Sequence, residues 1–549
     1  MFRVIILFLT VILMFSCSHR MDEEASRYVS SMTVDEKVGQ LMMFAIPGKK
    51  LNRYNKKIIK SYKPGGIIFF GYNISGEKDL LDFTESLQEY AYSNYSVPLF
   101  ITTDQEGGRV RRIREGVESF PGNLASGISA EYDIVNEMAR IQGLQLRRLG
   151  INMNLAPVLD VNNNPENPVI NTRSFGSNPE VVSKMGEKYI EGLAKGKCIS
   201  VAKHFPGHGD TSSDSHYELP VIEHDMKHLE NNELIPFRIA IDKGVECIMT
   251  AHILYPMIEK EGISATMSYF FLTELLRKKF KFNGIIMTDD LEMNAVSMNM
   301  KLGEAAVKSF KAGTDIILVS TYGENIRSIH TSLLRAVKSG DISMERLDAS
   351  VKRIIEMKLR YNIAKLNEKT GKLELSKFIP DEDDEKIISR AETVNEKVSS
   401  SALYLKGNIK SISGDIHRNR IYISRNNAFR DTVKLNEGDS FVWNYSSLLK
   451  AMGKMKSLNT EKQVVFHFYR LNRGIVNRVS SLCKKRGFSL VLVFSGNPFI
   501  FSGIDRNIPV LFTFSPTDMS MKAAASVFNG TVVPKTDINC DLGFYKEGM

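Results

Sequence analysis

The chain has 549 residues, 43% of them hydrophobic and 25% charged, with a formal net charge of +9. That is ample apolar sequence for a large core and argues against a disordered chain. Lysine and arginine are scattered without interleaved aromatics, which argues against a nucleic-acid groove. Five cysteines with no Cys-x-x-Cys pair argue against zinc-finger spacing. Cys198 and Cys247 each open an apolar strand-like run and read as buried thiols.

Arg3 precedes the apolar run Val4–Phe15, which is short for a bilayer span and ends at Ser16-Cys17. A small residue followed by cysteine resembles a bacterial lipoprotein cleavage site, with Met14 where leucine is usual. Residues 1–17 are therefore expected to be a signal peptide with Cys17 lipidated, and 18–30 a tether. The protein is then exported and lipid-anchored to a bacterial cell membrane.

Thr33 and Glu36 stand at capping-box spacing and predict a helix running into the first strand. Strand-length apolar runs then recur at Leu41–Ile46, Gly66–Phe70, Pro98–Thr103, Ile151–Ala156, Ile199–His204, Glu246–His252, Gly284–Thr288 and Asp315–Val319. Amphipathic stretches such as Ile134–Leu149 and Tyr269–Phe280 separate them. Continuous rather than alternating apolar runs indicate parallel strands buried on both faces. Eight of them alternating with helices predict an α/β fold, a (β/α)8 barrel over 31–361 closed by the helix Ser343–Tyr361. Residues 362–390, with the acidic run Asp381–Glu385, read as a solvated linker. A second rhythm follows: Ala402–Leu405, Arg420–Ser424, Phe441–Asn444, Val464–Phe468, Leu490–Ser495 and Val510–Phe514. It predicts a smaller α/β sandwich over 391–549.

Polar residues punctuate the barrel where its strands end: Asp104, Asn152–Asp160, Lys203-His204, His252 and Asp289. In a (β/α)8 barrel those ends converge on the face where active sites are built. The stretch Val201–Pro220 puts three histidines, two aspartates, two glycines and a lysine at one such end. Gly207, Gly209 and Pro206 make a regular helix unfavourable through Phe205–Thr211, so this is a loop rich in titratable groups. Asp214 and His216 are two residues apart. A carboxylate so placed fixes an imidazole tautomer and supports acid/base chemistry near neutral pH. Ile285–Thr288 delivers Asp289 or Asp290 to the same face, where a carboxylate can act as a nucleophile at an anomeric carbon or cap the following helix. Gly107-Gly108 lets backbone approach a ligand closely. Arg112 and Arg173 are candidate donors to hydroxyl or carbonyl groups, or members of buried ion pairs. His204, His208, Asp210, Asp214 and His216 contain metal-ligand types, but the His-x-x-x-His pair lies across Phe-Pro-Gly instead of one helical face. No metal and no cofactor is expected.

Four ordered blocks carry a resemblance: Asp104–Val110, Asn171–Gly176, Lys203–Gly209 with Asp214-Ser215-His216, and Thr288-Asp289-Asp290-Leu291-x-Met293. Together they resemble glycoside hydrolase family 3, in its β-N-acetylglucosaminidase branch. The resemblance implies Asp289 as nucleophile, His216 as general acid/base and Asp214 as its dyad partner. It implies Asp104, Arg112, Arg173, Lys203 and His204 as residues holding a terminal N-acetylglucosamine. The implied reaction is retaining exo-hydrolysis through a covalent glycosyl-enzyme. With export, it points to N-acetylglucosamine-containing glycans or muropeptides as substrates. The alternatives are a phosphorylase using the same dyad, and an inactive lipid-anchored wall-binding protein.

Overall fold

The computed structural model describes residues 22–538 except 216, 261, 298–299, 368, 409–411, 413–417, 436–438, 443, 456–460, 502–503 and 506. The leader, Cys17 and Cys540 therefore lie outside the described residues, as does His216. Among the described residues no helix is long and apolar enough to cross a membrane.

Eight parallel strands run as β1 (Met42–Ala45), β2 (Gly66–Phe69), β3 (Phe100–Thr103), β4 (Met153–Asn154), β5 (Ile199–Phe205), β6 (Cys247–Thr250), β7 (Ile285–Met287) and β8 (Ile317–Val319). Each pairs with the next, β1 also pairs with β8, and a bridge between Met287 and Ile316 closes the ring. Every residue of β1, β2, β3 and β5 is buried, which is what continuous apolar runs require. Each buried Ile, Phe or Met contributes about 1.5–3 kcal/mol. Thr33 caps the helix Val34–Gln40 with its hydroxyl on the Glu36 N–H, and Glu36 returns to the Thr33 N–H at 2.9 Å. Met344–Arg360 is the closing helix, with Ser343 as its cap.

Residues 362–390 are not an open linker. Ala364–Leu366 and Leu373–Leu375 pair as an antiparallel hairpin, and Glu382–Ile388 is helical. The acidic run is that helix's N-terminal turn. The Asp381 carboxylate accepts from the N–H groups of Asp383 and Asp384, and Asp384 meets Lys197 at 2.6 Å. Negative charge is favoured at that end of a helix.

The second sheet contains β9 (Tyr404–Lys406), β10 (Arg418–Ile423), β11 (Ser440–Val442), β12 (Glu461–Phe468), β13 (Ser489–Phe494) and β14 (Val510–Phe512). Its order is β9-β14-β13-β12-β10-β11, parallel except for β9 against β14. The helix Asp518–Phe528 covers one face. Leu124, Ala125 and Ile128 of the barrel helix Asn123–Ser129 share an apolar cluster with Ala402, Leu492 and Phe512. Beside it Lys535 Nζ donates to the carbonyls of Ile128 and Ser129 at 2.9 and 2.8 Å.

Candidate active site

A cavity of about 490 Å³ opens at the C-terminal ends of the barrel strands. Asp104, Arg112, Arg173, Lys203, His204, Asp214 and Asp289 all line it. The residues that the resemblance implies for catalysis and sugar binding are thus brought to one place, apart from His216, which lies outside the described residues.

The floor is a buried charge network. Lys203, at the end of β5 and 2% exposed, donates to Asp104 Oδ1 at 2.9 Å and Glu106 Oε1 at 2.8 Å. Arg173, on the short turn Asn171–Arg173, grips Glu106 with two donors at 2.9 and 2.8 Å. Arg112 donates to the other oxygen of Asp104 at 3.1 Å. Gln105 returns the chain for that contact, its Oε1 accepting from the N–H groups of Arg112 and Ile113 at 3.0 Å each. Burial works against the Glu106 charge, yet Arg173 and Lys203 outweigh it and hold the carboxyl far below its ordinary range. Asp104 is held down against burial in the same way by Lys203 and Arg112. Gly107 and Gly108 serve the hairpin between these groups. Gly108 has φ +54°, and a Cβ there would lie 2.8 Å from the Gly122 Cα. The close approach is to the chain's own Pro121–Gly122 backbone, not to a ligand.

Asp160 organises the wall. One of its oxygens accepts from the N–H groups of His204 at 3.1 Å and His208 at 2.7 Å; the other meets His204 Nδ1 at 2.7 Å. His204 Nε2 faces Arg173 at 3.4 Å, and a guanidinium only donates, so the ring proton belongs on Nδ1. His208 packs below, with Nδ1 on Thr211 Oγ1 at 3.0 Å and Nε2 on Ser215 Oγ at 2.9 Å. Burial and the neighbouring His204 push its pKa down to about 4. His208 is therefore a neutral latch on the loop that carries Asp214.

Asp289 follows β7 and is half-buried, lining the cavity. Burial would raise its carboxyl, but His204, His252, the Asp290 N–H and Lys203 more than offset this and keep it ionised. The Asp290 N–H donates to Asp289 Oδ1 at 2.8 Å. Asp290 itself accepts from the N–H groups of Glu292 at 3.1 Å and Ser320 at 2.9 Å, tying the ends of β7 and β8 together. Burial pushes its carboxyl up to about 6. Two adjacent aspartates are thus driven apart, one a poised anion and the other a backbone tie. His252 meets the Asp290 carbonyl through Nε2 at 3.0 Å, and burial pushes its pKa down against the pull of Asp289.

Among the described residues, the metal-ligand types weighed in the sequence do not converge. Both ring nitrogens of His204 and of His208 have protein partners, and Asp210 pairs instead with His224. Sequence reasoning did not single out Glu106, Asp160 or His252 as site residues. The available signal was position: Asp160 and His252 were among the residues at strand ends, and Glu106 lies two residues past Asp104.

Residues 33–357 match the family model described as "Glycosyl hydrolase family 3 N terminal domain". The chain is 38% identical over 326 residues to beta-hexosaminidase A of Pseudoalteromonas piscicida, covering 55% of this chain and 54% of that protein, so it spans about half of that relative's length. It is 34% identical over 280 residues to the beta-hexosaminidase of Tolumonas auensis, covering 50% of this chain and 81% of the relative. The structure of a glycoside hydrolase family 3 beta-N-acetylglucosaminidase from Paenibacillus sp. str. FPU-7 superposes with a TM-score of 0.79 at 31% identity, covering 93% of this chain and 99% of that one. The chain belongs to glycoside hydrolase family 3, and its barrel resembles that family's β-hexosaminidases.

Proposed function

We propose that this protein is a retaining exo-β-N-acetylglucosaminidase that removes terminal N-acetylglucosamine from peptidoglycan-derived fragments. The observation that carries the reading is Asp289: a half-buried carboxylate at the wall of a polar cavity, held ionised by His204, His252, the Asp290 N–H and Lys203. Such a group attacks the anomeric carbon to give a covalent glycosyl-enzyme. Asp104, Arg112, Arg173, Lys203 and His204 hold the sugar's hydroxyl and acetamido groups. The Lys203–Glu106–Arg173 network fixes these donors before substrate arrives, so little reorganisation is left for the reaction itself. His216, paired with Asp214, protonates the leaving oxygen and then, as a neutral imidazole, activates water. With export through a leader ending before a lipidated Cys17, this chemistry would be anchored at a bacterial cell membrane; a Cys17→Ala variant should lose incorporation of labelled fatty acid.

The test is hydrolysis of an aryl β-N-acetylglucosaminide against the aryl β-glucoside. Wild type is expected to prefer the N-acetyl substrate, and His216→Ala to be slowed most on poor leaving groups. Inertness on both substrates, with and without phosphate, would sink the reading; a glycosyl phosphate product would replace hydrolysis by phosphorolysis.

A further inference from the structure

The second domain is wound as an open α/β sheet. From β10 the chain crosses to β11 on one side, returns past β10 to β12 on the other, and continues through β13 to β14. Crossovers of one hand that run in opposite directions leave their helices on opposite faces. Phe429, from the helix after β10 (Asn427–Thr432), shares an apolar cluster with Met521 and Ala524. Leu448 and Met452, from the helix after β11 (Tyr445–Lys454), share a different one with Val476 and Val479. The chain therefore parts at the C-terminal ends of β10 and β12. Such a switch point is where open α/β sheets hold their ligands.

A cavity of about 900 Å³ lies there, lined by Ile423 and Ser424 from the end of β10 and by Phe466 and Phe468 from the end of β12. That volume falls within the roughly 300–1,000 Å³ of small-molecule sites. No described residue lines both this cavity and the catalytic one. Its walls are largely apolar and aromatic. The Phe466 and Phe468 rings lie with centroids 5.2 Å apart, and Tyr469 and Ile475 are large side chains left exposed along it. His467 brings no charge: Ser424 and Ser495 occupy its two ring nitrogens, and burial pushes its pKa down to about 4. Charge comes from Arg425 and Arg478, both exposed, and among the described residues the lining holds no aspartate or glutamate to oppose them.

We propose that this cavity binds a small organic anion, a flat apolar body bearing one carboxylate or phosphate group. The flat body covers Phe466 and Phe468 and takes the exposed faces of Tyr469 and Ile475 out of water. The anionic group meets Arg425 and Arg478, whose guanidinium forks match the oxygens of a carboxylate or phosphate. Cationic ligands are turned away by the same two side chains. The site does not rest on the proposed glycosidase reading.

The experiment is fluorescence titration of the full chain with anilinonaphthalene sulfonate, an aromatic body with one anionic group, alongside phenylnaphthylamine, its uncharged counterpart. One saturable sulfonate site per chain is expected, competed by naphthoate and phenyl phosphate and not by N-acetylglucosamine. Arg425→Gln with Arg478→Gln should weaken sulfonate binding by roughly 10–100-fold, as loss of hydrogen bonds to a charged group does, and leave phenylnaphthylamine binding within about twofold. Ile475→Glu, an exposed change that sets negative charge against the ligand, should weaken sulfonate binding about tenfold while the thermal unfolding midpoint shows the fold retained. Absence of a saturable site in wild type overturns the proposal, as does unchanged sulfonate binding by the arginine double variant. Displacement of the probe by N-acetylglucosamine also overturns it, since that would place the probe in the catalytic cavity. Because these readouts do not involve turnover, they stand or fall separately from the glycosidase assay.

Discussion

The barrel and the second sheet both gather polar residues where parallel strands end, but they treat charge in opposite ways. In the barrel, Lys203, Arg173, Asp104 and Glu106 are buried as matched ions. In the second domain, the end of β12 buries a neutral group: His467, pushed down to about 4 by burial, sits with Ser424 Oγ at 2.9 Å from one ring nitrogen and Ser495 Oγ at 3.0 Å from the other. Arg425 and Arg478 stay exposed around it. Among the described residues, the barrel end holds charge in place around Asp289, the proposed nucleophile, whereas the ring of His467 is held by uncharged contacts.

The widest separation between the two regions is expected in turnover. Asp289→Ala should cost about 10⁴-fold or more in kcat, as removal of a nucleophile does, whereas Ser495→Ala should leave kcat within about twofold. Steady-state rates on an aryl β-N-acetylglucosaminide measure both. Stability should divide next. Glu106→Ala strands Arg173 and Lys203 without their shared carboxylate and should cost about 3–5 kcal/mol in denaturant unfolding. Ser424→Ala removes a single neutral hydrogen bond and should cost about 1 kcal/mol.

Acid should then reveal what the regions share. His208 and His467 both have folded pKa values depressed from 6.5 to about 4. Each folded imidazole binds its proton less readily than the unfolded one, so its contribution is fully present above pH 6.5 and fades as pH falls toward 4. That contribution is roughly 3 kcal/mol per residue. His467→Gln should flatten about half of this slope in thermal unfolding scans between pH 6.5 and 4. Asp104 and Glu106, held low by their partners, should give way only below that window. The smallest effect is expected at Asp381→Ala, which removes an exposed helix cap and should lower the denaturant midpoint only slightly.

Elements whose signal is local were legible in the chain. Val201, Ala202 and Phe205 in β5 are buried because their run is apolar on both faces, and that run predicted the strand. Asp104, Lys203 and Asp289 were visible as polar residues ending such runs. Glu106 was not singled out because its meaning lies in Arg173, 67 residues away. Gly107-Gly108 was misassigned for the same reason, since the backbone it accommodates belongs to Pro121–Gly122. The acidic run at Asp381 looked like solvated linker because Asp381 and Asp384 form a capping box without the usual glutamate.

The helix Asn123–Ser129 carries one more consequence. Leu124, Ala125 and Ile128 belong to the barrel in sequence but to the second domain's core in packing. A chain cut after Arg360 would present these apolar side chains to water as an adhesive spot, inviting self-association. The two modules should accordingly melt as one cooperative block in calorimetry, and a family member made of the barrel alone would need polar residues on that helix to stay dispersed.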